Sequence, residues 1–378
     1  MFQPAITGSG VFTPAQAISN DELVAAFNAY ADAYNAENAA AIASGEKEAV
    51  SQSSSEFIFN ASGIEQRYVV DKSGVLDPNV MHPLLRARTD DEPSQMAEMG
   101  LDACKKALAQ AGRNASDVDA VICAASNHER AYPAIAIEIQ QLLGISGFGF
   151  DMNVACSSAT FGIQAAADMI RAGSIRSALV VNPEICSAHL EWRDRDCHFI
   201  FGDVATAVLI ERAEEATGAH FVIRSTRCAT EFSNNIRNNN GFLRRTRAGQ
   251  MEDRRDMQFM QEGRKVFKQV LPMVSAHIAA HMNDSDLKAT DLKRLWLHQA
   301  NKTMNDFIGK KVLGRVPAPE EQPNILQDYA NTSSAGSIIA FSKYSDDLEH
   351  GDLGLICSFG AGYSVGSVVL ERVVPTVP

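Results

Sequence analysis

Phe148-Gly149-Phe150-Asp151-Met152-Asn153-Val154 leads directly into Ala155-Cys156-Ser157-Ser158-Ala159, and an apolar repeat then runs to Arg171 and stops at Gly173. The first stretch is strand-like, and the last has helical spacing. Cys156 therefore falls in a small-residue turn from a strand into a helix. The same alternation surrounds this unit. Residues 118–126 read as a buried strand, after a helix over 94–110 that ends at Gly112. A second helix starts at Tyr132-Pro133 and stops at Gly144, and residues 177–182 and 205–210 are further strands. Short apolar, β-branched runs alternating with helices predict an α/β fold with largely buried sheets.

The second half of the chain repeats this order. Residues 221–223 form a strand, and 257–282 a long helix with Pro272 as an interruption. Leu292-Lys293-Arg294-Leu295-Trp296-Leu297 is a strand ending in His298-Gln299-Ala300-Asn301, in the place that 118–127 holds in the first half. Residues 354–358 and 365–370 echo 178–182 and 205–210. The pattern is an internal duplication, with halves 1–216 and 217–378 dividing near residues 214–218. Residues 25–55 read as a helical insertion and 72–93 as a long loop. Residues 233–255, with paired and triple asparagines and six arginines, form a third irregular stretch. Such stretches are either binding loops or surface decoration.

Composition excludes several classes. The 378 residues are 46% hydrophobic and 21% charged, as in ordinary globular proteins. Acidic residues outnumber basic ones 46 to 34, a net charge of −12, which is not the footprint of a nucleic-acid binder. No apolar run is long enough for a membrane span, and the N-terminus does not read as a signal peptide. The seven cysteines are scattered and form no CxxC pair, so neither a disulfide framework nor a zinc site is indicated. A reducing, cytoplasmic location follows.

Four places can carry chemistry. Free amides and the helix dipole at the start of a helix lower a thiol pKa and can bind an oxyanion, which makes Cys156 a candidate nucleophile. A buried inert cysteine is the alternative, and the small residues around Cys156 leave room for a substrate. His298 ends an apolar strand, where a loop displays it. Asn331 sits in a polar turn before the apolar helix from Ile338, where capping is the competing role. Ser358-Phe359-Gly360-Ala361-Gly362-Tyr363-Ser364 is a glycine-rich turn between strands, suited to close backbone approach to a reacting carbonyl. His277 and His281 are four residues apart on a helix but lack a third metal ligand.

Together, Ala155-Cys156-Ser157, His298-Gln299-Ala300-Asn301, Asn331-Thr332-Ser333 and Phe359-Gly360-Ala361-Gly362 resemble the thiolase-superfamily condensing enzymes, and among them β-ketoacyl-acyl-carrier-protein synthase III. The separations are 298 − 156 = 142 and 331 − 298 = 33. Phe201-Gly202-Asp203 and Gly63-Ile64 followed by Arg67 match further family signatures. The resemblance implies a thiolase-like fold, two duplicated α/β halves in a layered αβαβα arrangement, assembled as a homodimer. It implies an acyltransferase of fatty acid biosynthesis that needs no metal or redox cofactor. An acyl-CoA acylates Cys156, malonyl-acyl carrier protein loses CO2, and the carbanion attacks the thioester. His298 and Asn331 donate hydrogen bonds to the malonyl thioester oxygen, and the amides of Cys156 and Ala361 form the second oxyanion hole.

The resemblance also implies substrate contacts. Phe57 replaces a tryptophan that stacks on the CoA adenine, Arg195 is a CoA contact, and Phe359 faces the substrate. Tyr132 closes the acyl pocket, across the dimer. Lys310-Lys311 meets the acidic carrier protein, with Lys302 beside Thr303, which stands where the family carries an arginine. Three alternatives differ in chemistry. A thiolase needs a second cysteine, but Cys357 is one residue out of register with the position that would serve, Ser358. A decarboxylation-free condensing enzyme needs a glutamate base, for which Glu129 and Glu184 are candidates. A specialised-metabolite condensing enzyme or acyltransferase would use a different acceptor. The insertions near Phe57 and the small residues beside Cys156 predict a medium-chain starter of roughly six to twelve carbons, since each buried CH2 contributes ~0.8 kcal/mol.

Overall fold

The computed structural model describes residues 1–239 and 254–375. Most of the arginine-rich stretch over 233–255 lies outside the described residues. Nine strands form one sheet: β1 (Pro4–Phe12), β2 (Ala120–Ala124), β3 (Phe148–Met152), β4 (Ser177–Ile185), β5 (Asp203–Arg212), β6 (His220–Thr230), β7 (Leu292–Leu297), β8 (Leu353–Gly360) and β9 (Ser364–Val373). Their spatial order is β7-β8-β9-β6-β1-β5-β4-β2-β3. On one side of the β6/β1 seam, β2 runs parallel to β4, and β4–β5 and β5–β1 are antiparallel. On the other side, β7 runs parallel to β8, and β8–β9 and β9–β6 are antiparallel. The second half thus places β6, β7, β8 and β9 where the first has β1, β2, β4 and β5. The seam is a short antiparallel pairing, Ala5 with Val222 and Ile6 with Phe221.

Helices fill three layers around the two half-sheets. The elements used below are α1 (Asn20–Glu37), α2 (Ser55–Ser62), α3 (Gln95–Ala111), α4 (Ile135–Leu143), α5 (Ser158–Ala172), α6 (Gly263–Asp284), α7 (Lys302–Leu313) and α8 (Gly336–Lys343). On the outer face of the first half, Met99, Ala103 and Ile139 of α3 and α4 pack on Val121, Leu179 and Ala207. On the outer face of the second half, Val274, Ile278 and Ile308 of α6 and α7 pack on Leu295, Leu355 and Val369. Between the half-sheets, Ile163, Ala166 and Ile170 of α5 and Ile338 and Phe341 of α8 touch Ile122, Val180, Ile356 and Val368. The expected αβαβα layering is the one observed.

Three local features differ from the sequence reading. The strand β1 is masked in sequence by Gly8 and Gly10. A Cβ on either would land on the carbonyl oxygens of Ala107 and Ala103 in α3, so the helix can lie on the strand only where side chains are missing. The helix α6 runs unbroken through Pro272. Pro272 is exposed, as is Lys268, whose carbonyl loses its helical donor, so water can replace that bond. The helix expected from Tyr132 begins three residues later, at Ile135.

The two N-terminal insertions are not surface decoration. Leu23, Phe27 and Ala31 of α1, capped by Ser19 and Glu22, join Val75 and Met81 of the 72–93 loop in a core of their own. That core includes Trp192, Cys197, Phe199, Phe201, Leu326 and Ala330. The insertions therefore buttress the segments around Phe199, Phe201 and Asn331.

Because α3 approaches β1 at backbone contact, Gly10→Ala should lower unfolding free energy by ~1 to 3 kcal/mol through overpacking. Urea denaturation checks this, and an unchanged midpoint would contradict it.

Candidate active site

Cys156 is set by a turn in which side chains satisfy the backbone. The Asn153 Oδ1 accepts from the Ala155 amide at 2.9 Å, and Ala155 takes a left-handed conformation, φ 48°. The Ser158 hydroxyl accepts from the Val154 amide at 2.8 Å and donates to the Ala155 carbonyl at 2.7 Å. Cys156 follows, two residues before α5. The β8–β9 turn presses on it from the other half: a Cβ on Gly360 would sit 2.6 Å from the Cys156 Cβ. This contact brings the Ala361 amide to the sulfur, where it and the Cys156 amide favour the thiolate.

The His298-Gln299-Ala300-Asn301 stretch divides its work. The His298 amide donates to the Cys357 carbonyl at 2.7 Å, holding the end of β7 on β8. Gln299 is fully buried and donates to the Leu297 carbonyl at 2.9 Å. The Asn301 Oδ1 caps α7 through the Thr303 amide at 2.9 Å, and its Nδ2 donates to the Ala61 carbonyl of α2 at 2.6 Å. The His298 ring is buried against the Phe359 ring at 5.0 Å and is hydrogen-bonded to the Ser333 backbone, while its Nδ1 is enclosed without a partner among the described residues.

Asn331 is oriented by its own turn. Its amide donates to the Ile200 carbonyl at 3.0 Å, and its carbonyl accepts from the Gly202 amide at 3.1 Å. Its Oδ1 accepts from the Ser333 amide at 2.9 Å, which leaves the Nδ2 as the group offering hydrogen bonds. The Phe201-Gly202-Asp203 motif thus positions Asn331. Asp203 itself is buried and accepts from Ser187 and the Val70 amide.

Cys156, His298, Asn331, Phe359 and Gly360 line one cavity of about 500 Å³. Ile64, Phe199, Phe201, Phe259 and Val270 supply apolar wall, and Asp194, Asp196, Arg255 and Arg264 are polar. Phe57 also lines it, with the Arg195 guanidinium 4.0 Å from its ring centre. Of the insertions themselves, no residue over 25–55 or 72–93 reaches the cavity; they back its wall.

Several expected residues lie elsewhere. Tyr132 is 84% exposed on the loop before α4 and does not line the cavity. Glu129 is exposed and accepts from the Met96 amide at the start of α3. Lys302 is paired with Asp306 at 2.6 Å, whereas Lys310 and Lys311 are exposed near the far end of α7. Cys357 packs in the outer core with Leu297 and Leu355, on the face away from Cys156, so a thiolase-type second cysteine is absent from the site. A Cys123, His128 and Asp151 group has ligand atoms within 4.8 Å, but both Asp151 oxygens already accept from the Ile135 and Ala136 amides.

The electrostatics overturn one expectation. Burial pushes the Cys156 thiol up to about 11, more than the Ser333 hydroxyl and the two amides pull it down. Burial likewise lowers His298 to about 4. The resting pair is therefore a thiol and a neutral imidazole. Desolvation of a small anion outweighs the start of one helix here. Ser333 is the site residue to which sequence reasoning gave no role of its own. Its hydroxyl lies 3.4 Å from the Cys156 sulfur, and it sits in a left-handed conformation, φ 52°, that only structure reveals.

Comparisons with known proteins agree with this geometry. Residues 150–227 match the family model of 3-oxoacyl-[acyl-carrier-protein] synthase III, and residues 282–372 match its C-terminal model. The chain is 56% identical over 347 residues to a β-ketodecanoyl-[acyl-carrier-protein] synthase of Pseudomonas aeruginosa, covering 92% of this chain and 99% of that one. It is 36% identical over 276 residues to a β-ketoacyl-[acyl-carrier-protein] synthase III of Acidiphilium cryptum, covering 72% and 83%. The crystal structure of the Aquifex aeolicus 3-oxoacyl-[acyl-carrier-protein] synthase III superposes with a TM-score of 0.74 at 22% identity, covering 97% of this chain and 99% of that one, a likeness of fold.

Because Cys156 rests as a thiol, its alkylation by iodoacetamide in the free protein should keep rising with pH through 9 toward its pKa of about 11. The proton is lost above the folded pKa, so the rate grows about tenfold per pH unit below it. A plateau below pH 8 would reveal a thiolate–imidazolium pair instead.

Proposed function

The chain belongs to the β-ketoacyl-[acyl-carrier-protein] synthase III family, and on that footing we propose how its residues divide a two-step acyl transfer. The observation that carries the reading is the convergence of Cys156, His298 and Asn331 on one largely apolar cavity. An acyl-CoA enters with its chain along Ile64, Phe199, Phe201 and Phe259. The Cys156 sulfur attacks the thioester carbonyl, whose oxygen is met by the amides of Cys156 and Ala361. The S–C bond to CoA breaks, and the thiol proton ends on the departing CoA sulfur.

Malonyl-acyl carrier protein then occupies the site. As CO2 leaves, charge gathers on the malonyl thioester oxygen. His298 and the Asn331 Nδ2 donate to it, both neutral and both held in place before the charge appears. The carbanion attacks the Cys156 thioester, the tetrahedral adduct collapses, and the Cys156 sulfur departs from the β-ketoacyl product as a thiolate that takes a proton from water. A low pKa suits His298 here, because a ring that binds a second proton reluctantly stabilises the enolate by donation alone. The 56% identity to a β-ketodecanoyl synthase favours this condensation over a specialised-metabolite reaction.

The starter is a medium-chain acyl-CoA. The Pseudomonas aeruginosa relative is named for a ten-carbon β-ketoacyl group, and removing the two carbons that malonyl supplies leaves an eight-carbon starter. The Phe57–Arg195 pair receives the CoA nucleotide end. Lys310 and Lys311, unpaired with acids among the described residues, face the carrier protein, with Lys302 closer to the mouth. No metal or redox cofactor takes part in this scheme. The halves divide at 216/217, a reading supported by β5 ending at Arg212 and β6 starting at His220. The protein works as a cytoplasmic homodimer. Seven free cysteines support a reducing compartment. The open edge strand β3, with Phe148, Ile137 and Leu142 exposed on it and on α4, supports pairing with a second copy. In that dimer Tyr132 reaches the partner's acyl pocket.

Acylation of Cys156 measured by mass spectrometry with two- to fourteen-carbon acyl-CoAs should peak at about eight carbons, rising up to about fourfold per CH2 as ~0.8 kcal/mol is gained. A maximum at acetyl-CoA would refute the medium-chain reading. The variants His298→Ala and Asn331→Ala should still acylate Cys156 but release CO2 from malonyl-carrier protein about 100- to 1,000-fold more slowly. Normal decarboxylation by either would remove that residue from its assigned step.

A further inference from the structure

Glu184 is 1% exposed at the end of β4, in the first half of the fold, and it does not line the cavity. Its carboxyl is nonetheless surrounded by donors. The Oε1 accepts from the Ser126 amide at 2.9 Å, the Ser334 amide at 3.3 Å and the Ser334 hydroxyl. The Oε2 accepts from the Ser126 hydroxyl at 2.6 Å, with the Cys186 sulfur at 3.8 Å. Ser126 follows β2, whereas Ser334 belongs to the second half and directly follows Ser333. One buried carboxyl thus ties a first-half loop to the turn that carries Asn331 and Ser333.

We propose that Glu184 is a positioning residue for this site, clamping the 331–334 turn so that the Asn331 amide and the Ser333 hydroxyl keep their aim on the substrate and on the Cys156 sulfur. The turn needs such a clamp. Ala330 and Ser333 both have positive φ, 56° and 52°, and conformations of that kind persist only where their surroundings over-determine them. Without the carboxyl, the buried Ser334 amide has no acceptor among the described residues and the turn has reason to move. The clamp works through acceptor positions rather than charge. Burial holds the Glu184 carboxyl up at about 7 in spite of its donors, so a large neutral fraction is present at neutral pH. A glutamine can mimic it: its oxygen at the Oε1 place keeps all three donors, and its NH2 at the Oε2 place donates to the Ser126 hydroxyl, which can rotate to accept.

The test compares E184Q with E184A. Both remove the charge, so the difference between them isolates the clamp. Two readouts are needed, because the inference rests on the reaction proposed above. Alkylation of Cys156 by iodoacetamide reports the Ser333 contact without any turnover, and CO2 release from malonyl-carrier protein reports Asn331. E184A is expected to alkylate several-fold more slowly than E184Q, and to release CO2 about 100-fold more slowly, the scale of a 1 Å misplacement. E184Q should keep CO2 release near the wild-type rate. Equal alkylation and equal CO2 release in the two variants overturn the clamp. Absence of CO2 release by the wild-type protein, with the alkylation difference intact, overturns the proposed reaction and leaves the clamp standing. If E184A does not fold, Ser334→Ala in the E184Q background removes the hydroxyl contact of the second-half arm at constant charge, with only the weaker backbone amide contact of position 334 left. It should then lower CO2 release relative to E184Q alone, and equality between the two overturns the proposal.

Discussion

Two helices share one layer between two half-sheets, and the site follows from how tightly that layer is packed. A Cβ on Gly162 of α5 would meet the Val180 side chain at 2.8 Å and Ala124 at 3.0 Å. On the other side, a Cβ on Gly366 of β9 would meet the Thr160 Cβ of α5 at 2.9 Å. At the start of α8, a Cβ on Gly336 would meet Gln299 at 3.1 Å. With no room to slide, the segments entering α5 and α8 are fixed against each other. The 3.4 Å contact between the Ser333 hydroxyl and the Cys156 sulfur is the visible result. Cys156 from one half and the 331–334 turn from the other can then be held at bonding distances by close packing.

The same burial that fixes the geometry sets the charge states. Few groups in the layer reach water, so ionisation there is unfavourable for sulfur and imidazole alike. The groups facing the Cys156 sulfur and the cavity are fixed dipoles rather than ions: the Ala361 and Cys156 amides, the Ser333 hydroxyl and the Asn331 amide. Donors of this kind need little reorganisation when charge develops, and a dry site strengthens each of them.

Much of this was legible in sequence because the signals are local. Apolar runs mark β2 to β9, terminal glycines mark the ends of α3, α4 and α5, and the turns around Cys156, His298 and Asn331 mark the candidate site. What was hidden depends on contacts remote in sequence. The strand β1 reads as Gly-rich and irregular because its glycines answer to α3, about a hundred residues away. The helix α6 tolerates Pro272 because that face meets water. The thiol state follows from burial by groups from both halves. Glu184 was visible only as an acid near a cysteine, and its role emerges from Ser126 and Ser334, which lie 58 and 150 residues away.

The duplication reaches into the site itself. Asn153-Val154-Ala155-Cys156-Ser157-Ser158 and Asn331-Thr332-Ser333-Ser334-Ala335-Gly336 each end on the first residue of a central helix. In both, the asparagine Oδ1 accepts from the amide two residues on at 2.9 Å, and that residue is left-handed, Ala155 at φ 48° and Ser333 at φ 52°. The two turns are the same device used in opposite ways. The Asn153 Nδ2 is committed to the Ser126 carbonyl at 2.8 Å, and the next position but two, Cys156, faces the cavity. In the second turn the asparagine faces the cavity, and the position equivalent to Cys156 is Ser334, which is turned away onto Glu184. One copy of the turn gives its cysteine to the cavity and the other gives its asparagine. Because both are entries to helices in one packed layer, the pair meets at a single point. A carboxyl that fixes Ser334 therefore secures the copy of the turn that gives its asparagine, as the Ser158 hydroxyl, hydrogen-bonded to Val154 and Ala155, secures the copy that gives its cysteine.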